Sequence, residues 1–158
     1  LEAIYAAGKK AKAGILKSYA EDTVAVANIK IAVRSQKTAK SVEFMKRAMA
    51  KCDSLNIDML AKAAQNSMEA ICDYLSTTSY AGGAEALAES PSAFERWCDN
   101  KIIETIKPQK YNPFSVEPLV AYVLARENEI KTVRIILSAK ANNLPEDSIR
   151  ERVREMYV

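Results

Sequence analysis

Apolar residues recur along most of this chain at three- and four-residue spacing, and alternating β-branched runs are absent. The pattern predicts an all-α protein of about eight to ten helices. Leu1, Ile4, Tyr5, Ile15, Leu16 and Tyr19 outline a helix over 1–19, weakened by Gly8 and Gly14. Glu21-Asp22-Thr23 offers a negative first turn and a cap for a helix over roughly 24–36. Ser41 caps a helix carrying Val42, Met45 and Met49 that ends near Cys52. Another runs from Leu55 to Gln65, and Ser67 caps one through Ile71, Cys72 and Leu75. Ser76 to Gly83 is polar, ends in two glycines and reads as the clearest break.

Beyond that break, Ser90-Pro91 opens a helix with proline at its first position and Glu95 placed to box Ser92. Phe94, Trp97, Cys98 and Ile102 form its apolar side until Pro108 stops it. Ser115 caps a long helix with Pro118 in its first turn. Val120, Leu124, Ile130, Val133 and Leu137 give that helix one apolar stripe, and Glu127 and Lys131 stand four apart in the favourable order. Asn142-Asn143 breaks it, Pro145 opens the next, and Ile149, Val153 and Met156 line one side of that last helix.

A weak internal echo joins the two halves. Asn28-Ile29-Lys30-Ile31-Ala32-Val33 aligns with Thr132-Val133-Arg134-Ile135-Ile136-Leu137, 104 residues later, and each is followed by a further helix. The expectation is two related helical modules, 1–80 and 81–158, joined near Ala81-Gly82-Gly83.

Composition agrees with helix and narrows the chemistry. The chain of 158 residues is 49% hydrophobic and 27% charged, with only 4 Gly and 5 Pro. A net charge of +3 is too small to argue for nucleic acid. The first forty residues are more cationic, which reads either as a solvated face or as a surface for an acidic partner. Arg34, Lys37 and Lys40 cluster beside a helix end and are candidate partner-interface residues. Lys110-Tyr111-Asn112-Pro113-Phe114 brings a basic and two aromatic residues into one loop, so Tyr111 and Phe114 are candidates too; packing of the loop against the following helices is the plainer alternative.

No histidine is present, which removes the commonest general base and metal ligand. Cys52, Cys72 and Cys98 lie 20 and 26 residues apart and form no CxxC pair, so no zinc site and no disulfide framework is expected. Gly82-Gly83 lacks the Gly-Lys-Ser/Thr that would make a phosphate loop. No catalytic residue, cofactor or metal site is nominated. The longest apolar stretches are about eight residues, far short of the ~18 that span a bilayer, so a membrane role would be peripheral. The absent start methionine reads as a piece cut from a longer protein.

Literal strings carry more than periodicity does. Glu117-Pro118-Leu119, Ala125-Arg126-Glu127-Asn128-Glu129-Ile130-Lys131 and Arg134-Ile135-Ile136-Leu137 resemble the C-terminus of the C subunit of archaeal and V-type ATP synthases, relatives of the eukaryotic vacuolar ATPase d subunit. Asn28-Ile29-Lys30 with Arg34, Ser92-Ala93-Phe94-Glu95-Arg96, Asp99-Asn100 and the 110–114 loop are similar as well. Thr132 departs from the asparagine expected there. The resemblance implies part of a funnel-shaped helical protein of three similar modules. That protein would be a non-catalytic central-stalk rotor component at the cytoplasmic face of the membrane. Its partners would be the central shaft and the proteolipid ring, with the membrane touched only through the ring. A free-standing helical scaffold that binds other proteins is the alternative from a different class.

Overall fold

Nine α-helices and one 3-10 turn account for the regular structure among residues 1–157, the part described by the computed structural model. They are α1 (Glu2–Lys10), α2 (Gly14–Lys37), α3 (Val42–Ala48), α4 (Ile57–Asn66) and α5 (Met68–Ser76). After these come α6 (Ala81–Glu89), α7 (Pro91–Ile106), the 3-10 turn Lys107–Tyr111, α8 (Glu117–Ala141) and α9 (Glu146–Arg152). No strand occurs among the described residues. The protein is all-α.

Side-chain caps decide several starts. Ser41 Oγ accepts from Phe44 N–H, Ser67 Oγ from Ala70 N–H, and Ser90 Oγ from Ala93 N–H, with Pro91 in the first turn of α7. Asn56 does the same for α4 through Met59 N–H. Each such bond satisfies one orphan donor of the first turn, worth about 1 kcal/mol.

Tertiary packing moves several expected boundaries. The helix expected over 1–19 divides at Ala11–Ala13, and α2 runs unbroken from Gly14 through Glu21-Asp22-Thr23. Those acids lie in mid-helix and hold distant segments. Glu21 Oε1 accepts from Asp53 N–H, Ser54 N–H and Ser54 Oγ, while Asp22 Oδ1 accepts from the buried Tyr80 hydroxyl at 2.9 Å. Glu95 does not box Ser92; Ser90 is the cap, and Glu95 reaches across to α2 instead.

Gly82 and Gly83 are helical, in the first turn of α6, and the break is shorter, Thr77–Tyr80. The indole of Trp97 lies against them so closely that a Cβ on either would come within 2.8 Å of it. Trp97 also stacks on Phe94, centroids 6.2 Å apart, and meets Tyr80 edge-on. Ser115 is not the N-cap residue of α8: Val116 is, although Ser115 Oγ accepts from Glu117 N–H at 3.3 Å. The last helix stops at Arg152, so Val153 and Met156 lie beyond it, partly exposed, and Ile149 alone of the expected side is buried.

The larger core is built on α2. Val24, Ile29, Met45, Leu60, Ile71, Leu75, Tyr80, Phe94 and Cys98 are among its members, so it crosses the position between 80 and 81. A smaller core gathers Ile15, Ile103, Ile106, Ala121 and Ala125 where α2, α7 and α8 meet.

The two long helices end alike. α2 and α3 recur as α8 and α9 at an offset of 104, with matching ends at Lys37 and Ala141 and matching short helices at 42–48 and 146–152. Ala39 and Asn143 occupy the left-handed region, φ 50° and 53°. Lys40 N–H closes on Ser35 C=O at 2.9 Å, as Leu144 N–H does on Ala139 C=O at 3.0 Å. A left-handed residue ends both long helices in the same way.

Candidate interaction surfaces

The polar residues quoted above for their family likeness are, in large part, ties between helices. Asn28 is fully buried; its Nδ2 donates to Ala50 C=O at 2.7 Å and its Oδ1 accepts from Ala50 N–H at 3.0 Å. One amide thereby pins the chain after α3 to the middle of α2. Glu95 on α7 accepts from Lys30 Nζ at 2.7 Å and Arg34 Nη2 at 3.0 Å. Burial works against its charge, but the two cations outweigh it and hold the carboxyl below its usual range. Asp99 is engaged by Lys131 of α8 and by the buried Arg154 at 2.8 Å, and there too the cations outweigh desolvation and keep the pKa low. Asn100 Oδ1 accepts from Glu155 N–H, and Asn112 Nδ2 donates to Glu117.

An open cleft of about 310 Å³ lies between α2, α7 and α8, bordered by Thr23, Lys30, Cys98, Asp99, Asn128 and Lys131. Lys30, Asp99 and Lys131 are already paired within the protein. Burial pushes the Cys98 thiol up to about 12, which keeps it protonated and unreactive. Among the described residues no group of three His, Cys, Asp or Glu side chains is arranged to hold a metal ion.

The five nominated interface residues fall at two separate places. Arg34, Lys37 and Lys40 mark the C-terminal end of α2, all exposed, with Arg34 tied to Glu95 and Lys40 Nζ 5.6 Å from the Phe44 ring. Tyr111 and Phe114 stand at the opposite end. Glu117, just after their loop, accepts from Gly14 N–H at 3.0 Å, at the first turn of α2. The helical rise from Gly14 to Arg34 is ~30 Å at 1.5 Å per residue. The two sets do not form one site.

Tyr111 is 78% exposed under the Lys110 ammonium, and Phe114 is wholly exposed. The loop is fastened at its base and leaves its aromatics in solvent. That exposure answers the plainer alternative of packing against the following helices: these two rings do not pack there.

Sequence reasoning missed a third surface. The stripe expected to bury α8 lies largely in solvent, with Ile130, Val133 and Leu137 at 50%, 53% and 61% exposure. The face α8 does bury is small: Ala121, Ala125, Thr132 and Ala139. Small side chains let α8 approach α7 and the C-terminal segment closely, and the large ones point away. Burying Thr132 without a partner for its Oγ1 is the irregularity on that face.

The sequence of this chain matches the family described as ATP synthase (C/AC39) subunit over residues 1–152. The chain belongs to that family. Its relatives include the C subunit of the V-type sodium ATPase of Enterococcus hirae, 23% identical over 82% of this chain and 41% of that protein. The C subunits of the A-type ATP synthases of Desulfurococcus sp. and Methanocaldococcus jannaschii are each 26% identical, over 90% and 86% of this chain and 40% and 36% of theirs. The chain therefore spans about two fifths of the length of these relatives. No solved structure matches it. Within the described residues no helix is long and apolar enough to cross a membrane.

Proposed function

We propose that this chain is part of the C subunit of a V-type or archaeal-type rotary ATP synthase. It is a non-catalytic socket that joins the central shaft to the proteolipid ring and transmits torque between them. The family match over 1–152 carries the reading. A helical body whose Lys30, Asp99, Lys131 and Arg154 are spent on ion pairs between helices, with exposed surface at both ends of α2, suits an adaptor better than a catalyst. In this reading the protein sits at the cytoplasmic face of the membrane and touches it through the ring. The recurrence of α2–α3 as α8–α9 supports two related modules, 1–80 and 81–158, within a whole of three.

The test is copurification of the full-length protein from its own cells. Shaft and ring proteins should accompany it; their absence, with other proteins in their place, would favour the free-standing scaffold. Tyr111→Ala with Phe114→Ala should then lower recovery of the shaft with the ring while helix content stays intact. Truncating a buried interface aromatic costs ~2 kcal/mol or more, against near zero for one left in solvent. Hydrolysis of ATP by the detached head should continue and ion pumping should fall. Normal assembly and pumping in the double variant would remove the loop from the coupling interface.

A further inference from the structure

A hollow of about 210 Å³ opens at the C-terminal end of α2, where that helix meets α6 and α7. Val33 and Phe94, 4% and 3% exposed, lie at its floor, and the partly buried Leu87 forms a wall. Arg34, Lys37 and Glu95 stand on its rim. Pockets that enclose a whole small molecule run to ~300–1,000 Å³, so this one suits a single apolar side chain entering from outside.

Charge decides what must flank that side chain. Glu95 is already shared by Lys30 and Arg34, so the carboxylate on the rim is spent. Lys37 is exposed, and its ammonium has no ion-pair partner among the described residues; Lys40, just past the helix end, has none either. A rim with this positive excess favours carboxylates and repels cations.

The hairpin does not need these charges in order to form. At the offset of 104, the equivalents of Val33, Arg34, Lys37 and Lys40 are Leu137, Ser138, Ala141 and Leu144, yet α8 ends in the same left-handed turn. A cation in the last turn favours the helix dipole, and Lys140 alone serves that purpose in α8. α2 carries more than the dipole asks for and sets the surplus beside an apolar hollow.

We propose that this end of α2 docks an acidic segment of a partner protein, whose one apolar side chain enters the hollow while flanking carboxylates pair with Lys37 and Arg34. The proposal deepens the adaptor reading and rests on it. Its test uses the chain alone, so failure there would leave the family membership and the copurification outcome untouched.

Titration of the isotopically labelled 158-residue chain with a blocked peptide, one leucine between three glutamates on either side, supplies the test. Resonances of Val33, Leu87 and Phe94 should shift together and saturate, with a dissociation constant on the order of 1 mM or tighter. Alanine in place of the leucine should weaken binding about tenfold, and lysines in place of the glutamates should abolish it. Lys37→Glu should also weaken binding about tenfold, with unchanged circular dichroism, because the side chain is exposed and unpaired. No saturable shift at those three residues would overturn the proposal. So would equal binding of the alanine or lysine peptide, or indifference to Lys37→Glu. Equal shifts with inorganic phosphate would overturn it as well, because the hollow would then play no part.

Discussion

The hairpins α2–α3 and α8–α9 share a backbone and differ in what surrounds it. Each has a long helix, a left-handed residue at Ala39 or Asn143, and a seven-residue helix after the turn. In the first, α4, α5 and α7 pack around the long helix, and Ile29 and Val33 disappear into the larger core. In the second, α2, α7 and the C-terminal segment cover one side only, and Val133 and Leu137 stay in solvent. Local sequence suffices to build the hairpin. Which of its apolar residues become core depends on what is brought against them.

The strongest way to break the comparison is to truncate equivalent side chains. Ile29→Ala should destabilise the fold by ~2–5 kcal/mol, from lost transfer energy and a residual cavity. Val133→Ala, at the matching position, should stay within ~0.5 kcal/mol. Urea titrations of both variants of the chain check this. Similar losses would mean that α8 is covered as α2 is.

The Asp99 ties offer a sharper probe of how the second hairpin is held. Asp99→Asn weakens the bonds to Lys131 and Arg154 and should cost ~2–3 kcal/mol near neutral pH. The sign with pH follows from the lowered pKa. A carboxyl with a depressed folded-state pKa stabilises fully above its unfolded value, ~3.9, and loses that contribution as pH falls from there through the folded value. The gap between wild type and variant should therefore be full at neutral pH and shrink in acid below about pH 4. A gap that holds constant into acid would show that the charge of Asp99 is not what secures α8.

A smaller contrast concerns Asn28 and Thr132. Asn28→Ala strands the Ala50 N–H and C=O and should cost ~1–3 kcal/mol. Thr132→Val removes a buried hydroxyl with no partner and should leave stability unchanged or raise it by ~1 kcal/mol. Thermal melts of the two variants separate these signs. A clear loss for Thr132→Val would show that its hydroxyl does have a partner.

The smallest effect belongs to the basic end of α2. Lys37→Ala and Lys40→Ala should change the stability of the chain by less than ~0.5 kcal/mol. Arg34→Ala gives up one half-exposed pair to Glu95 and should cost ~0.2–1 kcal/mol. Denaturation midpoints order the three, and a large loss at Lys37 or Lys40 would make that end of α2 a structural element rather than a free surface.

Much of the secondary structure was legible because its determinants are local. Ser41, Ser67 and Ser90 cap where their hydroxyls reach N–H groups three residues on, and Pro91 suits a first turn whatever lies nearby. The all-α class and the echo between 28–33 and 132–137 follow from residue type and spacing alone. The family likeness was legible in literal strings such as Asn28-Ile29-Lys30 and Asp99-Asn100. Those strings carry the polar ties, whose geometry tolerates few other side chains. Other matters lay outside local reach. Glu21 and Asp22 read as a first turn because nothing nearby tells that Ser54 and Tyr80 arrive to bind them. Gly82-Gly83 read as a break because the indole that requires them comes from another helix. Periodicity found an apolar stripe on α8 but could not tell which side faces inward. An amphipathic pattern reports the difference between two faces of a helix, and only the neighbouring helices decide which one is covered. Here they covered alanines and left the larger residues to solvent.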